Sequence, residues 1–504
     1  MTTYNPAPDL KIIETIPISP HAGKVTDALS RIGYTVEEAI ADLIDNSIDA
    51  SASSILVRFV HDGAEIRRIV IGDNGSGMSK DQLLSAMQFG SDRERAYDAL
   101  GKFGMGLKTA ALSQGRSLTV VSKQNLKVTS CRWTAKSIAS GWNCEILDSK
   151  GAKVWLDEIR HPFTIDVSGT LVVIDGIDHA LSGTKGLEAT LQKLHKKLSI
   201  HLGLVFHRFI DAGLNLYLDA ANINGGDAGF SVPIKSLNPF NYAVTGHKDY
   251  PLSFSIKLRG LPALRCNAHI WPPNQTSQSY FLSSANVATR QGFYFYRNGR
   301  LIQAGGWNGW RENTNDHHLT LARVEIELPP QFDTEFRLNV QKSGLDVPEG
   351  FRSALSSASN PMTQYIKNSE EVYRKKAELE ENFVPIPGRG FGSTVRRRAK
   401  TYLAGKKSPT REINILWGKL PELNFFQIDR TAGNVILNAL YRQDLLQGST
   451  ATLNDTPIIK TLLFLLLRDD LLRERGSKRF TERLEEINEL LMLAIKEEQS
   501  RQTS

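Results

Sequence analysis

Gly101, Gly104 and Gly106 stand immediately ahead of an apolar run, Leu107 to Leu112, that reads as a helix. Glycines in that spacing expose successive backbone N–H groups at a helix N-terminus, where aligned peptide dipoles favour an anion such as phosphate. Met105 and Leu107 complete the loop, and Lys108 adds a point charge for a terminal phosphate. Two other phosphate loops do not fit. A Walker A loop needs its lysine directly after the last glycine, but Leu107 intervenes between Gly106 and Lys108. A dinucleotide fingerprint fails because no G-x-G-x-x-G lies between a strand and a helix here.

Two earlier segments supply matching chemistry. Glu38 to Ala50 reads as a helix on which Asp42 and Asn46 are four residues apart. They share one face, with about 6 Å of rise between them. A carboxylate there can orient and deprotonate a water, and the amide oxygen of Asn46 can complete the shell of a Mg²⁺ that keeps waters and phosphates. Taken alone, the pattern fits a solvent-facing acidic helix as well. Ile71-Gly-Asp-Asn-Gly-Ser-Gly-Met78 follows a β-branched run. Gly75 and Gly77 let the backbone approach a flat ligand, and Asp73 can accept a hydrogen bond from an exocyclic amine such as adenine's. Asp-Asn-Gly is also a strong turn former, so this segment too is ambiguous by itself.

In this order the three segments resemble the gyrase, heat-shock chaperone, histidine-kinase and MutL (GHKL) ATPase superfamily, whose nucleotide site is the Bergerat fold. The resemblance covers about residues 20 to 180, and Thr170 in Ser168-Gly-Thr-Leu-Val172 matches the strand threonine near the adenine. It implies ATP and Mg²⁺ as ligands. Asp42 is then the general base, Asn46 the magnesium ligand, and Asp73, Gly75, Gly77, Met78, Gly101, Gly104, Met105, Gly106, Leu107, Lys108 and Thr170 the nucleotide contacts. A lid over the phosphates falls between Phe89 and Gly104. The family usually places Glu where this chain has Asp42. Asp is one methylene shorter, and about 1 Å of misplacement can cost roughly a hundredfold in rate, so slow turnover is expected. Glu38, one turn earlier, is a less suitable substitute.

At 504 residues the chain is too long for one core. The implied architecture is α/β (α+β): a Bergerat-type ATPase sandwich, a transducer-like α/β domain and a mainly helical C-terminal region. The boundaries are 1–185 for the ATPase domain with its N-terminal strap, 186–350 for the transducer-like domain, 351–384 for a helical connector, 385–412 for a basic linker, and 413–504 for a small mixed or helical domain. Strands are expected at Leu214 to Leu218, Leu252 to Leu258, Gly292 to Tyr296 and Val324 to Leu328, and a helix from about Phe351 to Glu381. Gly292 to Ile302, with its Arg-Asn-Gly-Arg hairpin turn, resembles the second domain of the microrchidia (MORC) ATPases. Phe336 to Ser343 resembles the segment that sends a lysine to the phosphates, which makes Lys342 the candidate.

Three cysteines are too few and scattered for a disulfide framework, and the most apolar stretch falls short of the roughly 20 residues of a membrane span. A cytoplasmic protein is expected. Net charge is +7, yet eight Lys or Arg and no acidic residue lie between Arg389 and Arg411. Arg396, Arg397, Arg398, Lys400, Lys406 and Lys407 within that patch suit a polyanion such as DNA, or a solvated linker. No phospho-accepting helix pair, cleavage domain, endonuclease motif or long client-binding region is evident. A microrchidia-like ATPase remains. Its ATP-driven homodimer is expected either to clamp DNA or to act on a protein partner.

Overall fold

A computed structural model describes residues 14, 16, 21–30, 33–89, 100, 105–177, 186–225, 229–284, 286–311, 316–333, 335–337, 345–357, 360–381, 384–403, 410–429, 433–446, 448, 450–471 and 478–503. By its contacts the chain falls into two units, Met1–Glu370 and Glu371–Ser504.

The first unit opens with α1 (Ala22–Ser30), α2 (Val36–Asp49), β1 (Ser54–His61), β2 (Ile66–Asp73), α3 (Lys80–Met87) and α4 (Gly106–Gln114). It continues through β3 (Ser117–Gln124), β4 (Lys127–Thr134), α5 (Ala135–Ala139), β5 (Glu145–Ile146), α6 (Ser149–Asp157) and β6 (Gly169–Asp175). Then come α7 (Leu187–Val205), α8 (His207–Asp211), β7 (Asn215–Asn222) and β8 (Val232–Pro233). These strands form one sheet in the order β5-β4-β3-β6-β2-β1-β7-β8. Its central strands β1, β2, β3 and β6 are largely buried on both faces, which is why apolar residues there occupy consecutive positions rather than alternate ones. In β1, Ile55, Val57 and Phe59 join the core shared with α2, α4 and α7. Leu56 and Val60 face the opposite way, into a core completed by Ala152 and Leu156 of α6.

The sequence reading closed this domain at residue 185. β7 nevertheless pairs in parallel with β1 from Ser54–Asn215 to His61–Asn222. The cause is apolar: Leu216 and Leu218 bury in the helix-side core with Leu198 and Leu202 of α7. α7 itself runs from Leu187 to Val205, beyond that boundary.

A second sheet within the same unit orders β12-β11-β13-β10-β9. It is built from β9 (Leu252–Lys257), β10 (Ala263–Ile270), β11 (Gly292–Arg297), β12 (Arg300–Ala304) and β13 (Ala322–Glu327), with α9 (Gln278–Phe281) between β10 and β11. The expected helix over 351 to 381 is two helices, α10 (Glu349–Leu355) and α11 (Met362–Glu381). Pro361 explains the break, because it disfavours helical backbone at the residue before it.

The second unit holds β14 (Val384–Pro387), α12 (Ser393–Leu403), β15 (Thr410–Gly418), β16 (Phe426–Asp429), β17 (Asn434–Asn438), α13 (Arg442–Leu446), α14 (Pro457–Leu471) and α15 (Lys478–Thr503). Its sheet runs β14-β15-β17-β16. The described residues of the stretch 385–412, expected to be a linker, include strand and helix: the end of β14, α12 and the start of β15. β14 and β15 pair in parallel, and α12 makes the crossover that parallel strands require. Val395 and Leu403 pack on the unit's core, which ties the helix down.

Candidate nucleotide site

Thr35 caps α2 through a capping box: its hydroxyl accepts from the Glu38 N–H, and the Glu38 carboxylate accepts from the Thr35 N–H at 3.0 Å. Glu38 is thereby occupied at the helix start, whereas the Asp42 and Asp45 carboxylates of the same helix are buried. Asp42 is 2% exposed. Tyr34 Oη donates to its Oδ2 at 2.9 Å, and Arg300 Nη2 donates to its Oδ1 at 3.4 Å. Burial, reinforced by the Asp42 charge, raises the Tyr34 phenol, so it stays a donor. One turn on, Asn46 Nδ2 donates to the Asp42 backbone carbonyl at 3.1 Å, which leaves the amide oxygen as the outward acceptor.

Ser47 joins α2 to the end of β2, donating to Asp73 Oδ2 at 2.9 Å while the Gly75 N–H donates to Oδ1 at 2.9 Å. Burial raises the Asp73 carboxyl to about 6, against the lowering effect of these bonds and of the Thr170 backbone. Asp73 and Thr170 are directly paired across β2 and β6. Thr170 Oγ1 in turn lies 2.9 Å from Ser122 Oγ, which also accepts from the Met78 N–H at 2.8 Å. Gly77 has a φ of +66°, and a side-chain carbon there would sit 1.9 Å from the Lys123 carbonyl oxygen. One on Gly75 would sit 2.8 Å from the Ala50 carbonyl oxygen. Both glycines therefore allow close approach of the chain to itself, where a flat ligand was expected to require it.

α4 begins at Gly106 after Met105, with no side-chain cap. The Lys108 and Thr109 N–H groups both donate to the Met105 carbonyl at 3.0 Å, so the Gly106 and Leu107 amides are the ones this helix start can offer an anion. A side-chain carbon on Gly106 would lie 3.7 Å from Asp42 Oδ2, so this helix start abuts the candidate base, and Leu107 follows it half-buried. Lys108 departs from expectation. It is 1% exposed, and its ammonium donates to the carbonyls of Ala86 at 2.9 Å and Gln88 at 2.8 Å. The physical reason is that α3 ends there and its last carbonyls need donors. In this structure it caps α3 rather than projecting as an isolated point charge. Gly101, Gly104, Lys342, Lys406 and Lys407, and all of the expected lid but Phe89 and Leu100, lie outside the described residues.

The sequence reading missed Tyr34, Asp45, Ser47, Ser122 and Arg300. Arg300 stood inside a segment already singled out, but only as the end of a turn. Arg396, Arg397, Arg398 and Lys400 are exposed on α12, in the second unit, whereas the nucleotide segments belong to the first.

Residues 34–162 match the family described as histidine kinase-, DNA gyrase B-, and HSP90-like ATPase. Over these residues the chain is similar to the GHKL ATPase domain. Asp42, Asn46, Asp73, Gly75, Gly77 and Lys108 all fall inside that match; Thr170 and Arg300 lie beyond it. Among curated relatives, ATPase morc-1 of Caenorhabditis elegans is 36% identical over 87 residues, 17% of this chain and 10% of that protein. Protein MICRORCHIDIA 4 of Arabidopsis thaliana is 32% identical over 92 residues, 17% and 11% of the two chains. The DNA mismatch repair protein MutL of Endomicrobium trichonymphae is 31% identical over 118 residues, 23% and 18%. The chain thus spans only about a tenth of the length of the microrchidia relatives it matches. A crystal structure of the N-terminal domain of a DNA repair protein aligns over 71% of this chain and 99% of that one, at 15% identity and a TM-score of 0.41, too low to argue from. Among the described residues no helix is long and apolar enough to cross a membrane.

Proposed function

We propose that the GHKL domain binds ATP with Mg²⁺ and hydrolyses it to ADP and phosphate. The reading rests on one convergence: α2 brings Asp42 against the uncapped start of α4 while Ser47 of the same helix holds Asp73. In this reading Asp73 accepts the adenine amine, and the α4 amides with the preceding glycines take the phosphates. The bonds that orient the Asn46 amide and the anion-suited helix start fit a magnesium–phosphate ligand. Mg²⁺, when bound, would neutralise phosphate charge, with Asn46 as its protein ligand. Asp42 orients and deprotonates the attacking water. Its short side chain makes turnover slow. Lys342 is the lysine assigned to the phosphates from the following domain.

ATP closing a homodimer around DNA is the wider proposal. One relative is named a DNA mismatch repair protein, and the exposed basic face of α12 suits the phosphates of a duplex. The deciding experiment for the chemistry uses Asp42→Asn. Phosphate release should fall to background while affinity for a non-hydrolysable ATP analogue stays within about threefold of wild type. Turnover unchanged in that variant would remove Asp42 from the role of base.

A further inference from the structure

The turn between β11 and β12 has Asn298 at φ 48° and Gly299 at φ 80°. Two successive positive φ angles make the mirror-image tight turn that matches strand twist. The turn aims two arginines in different directions. Arg297 forms a buried fork on Asp333, with Nε to Oδ1 at 3.0 Å and Nη2 to Oδ2 at 3.1 Å. Arg300, its register partner, reaches out of its own sheet to α2. Its Nε lies 2.9 Å from Asp45 Oδ1 and its Nη2 3.4 Å from Asp42 Oδ1. All three side chains are buried, at 3%, 0% and 2% exposure for Arg300, Asp45 and Asp42. The Phe206 ring lies 5.8 Å from the guanidinium.

Such a cluster is not an economical way to hold two sheets together. Buried ion pairs lose their hydration and are often no more stabilising than apolar packing of the same volume. What the arrangement does supply is direction. Asp42 is gripped on Oδ1 by Arg300 and on Oδ2 by Tyr34, so its carboxylate plane is set by groups outside its own helix. A base one methylene short has little tolerance for misalignment.

We propose that Arg300 is a positioning residue for the reaction, tying the orientation of the Asp42 base to the β11–β12 hairpin of the second sheet. The inference rests on Asp42 being the base of the ATPase reading. Movement of the hairpin then reorients the carboxylate, so this guanidinium is the link that carries motion of the second sheet to the base.

Steady-state ATPase and analogue binding on the full chain test it, comparing wild type, Arg300→Gln and Arg300→Lys. Charged and titratable groups beside the pair are Tyr34, Glu37, Glu38, Asp45 and His201 of α7. Burial, and then the Arg300 charge, push His201 down to about 4, so it stays neutral through the assay range. Arg300→Gln should lower kcat by about tenfold or more with KM and analogue affinity within about threefold. Arg300→Lys keeps the charge without the fork, so it too should lose rate, with KM and analogue affinity within about threefold of wild type. Unchanged kcat in both variants overturns the inference while the ATPase reading stands. So does a parallel loss of kcat, affinity and melting temperature, the mark of a merely structural residue. If Arg300→Gln does not fold, Arg300→Lys decides by the same kcat-against-KM split. A wild-type chain that hydrolyses no ATP overturns both.

Discussion

Asp73 shows how much of a site is set by surroundings the residue cannot announce. At a strand end followed by Asn-Gly it looks like part of a turn. In the fold it is buried, accepts from Ser47 and Gly75, and has its carboxyl raised from 3.8 to about 6. The native state therefore keeps this proton to higher pH than the unfolded chain. The stability it contributes is full below about pH 4 and is lost as pH rises through about 6. Nucleotide binding, which needs the ionised acceptor, should run the other way and weaken as pH falls through about 6. Asp73→Asn should abolish measurable binding of an ATP analogue and flatten the change in melting temperature between about pH 4 and 6. Calorimetric titration and thermal scans of the two proteins check both points. Legibility differed from residue to residue. The i, i+4 pairing of Asp42 and Asn46 follows from helix geometry alone. The ammonium of Lys108 took partners on α3, 20 and 22 residues earlier, which no local pattern specifies.

At the scale of elements, local rules carried the regular pieces. β-branched runs became β1, β2, β3 and β6, and Thr35 with Glu38 marks the start of α2. The basic stretch was misread because glycines and prolines at its start masked a strand and a helix. On α12, Val395 and Leu403 face the core and leave Arg396, Arg397, Arg398 and Lys400 exposed. A rigid helix presents those charges as a fixed row, where a linker would disperse them. If they bind duplex DNA, replacing all four by Gln should weaken binding and reduce the slope of log affinity against log salt by about 0.9 per lost phosphate contact. Anisotropy titrations at several salt concentrations measure that slope. An unaltered slope would transfer the functional reading to a protein partner.

At the scale of the whole molecule, the clamp proposal requires that triphosphate binding change the assembly state. The chain should elute as a larger species with a non-hydrolysable ATP analogue and Mg²⁺ than without them, in light scattering coupled to size exclusion. ATP-bound Asp42→Asn should stay in the larger form, because it binds without turning over. A single mass under all conditions would refute ATP-gated dimerisation. The amino-acid order by itself determined the nucleotide segments, their sequence along the chain and the helix or strand that carries each, because helix periodicity, strand propensity and glycine conformation act over a few residues. Only the tertiary structure decided that β7 completes the first sheet, that Lys108 turns to α3, and that Arg300 reaches a carboxylate 258 positions away. Those contacts depend on burial and on which charges are left without water once the sheets and helices have packed, and no local rule encodes that outcome.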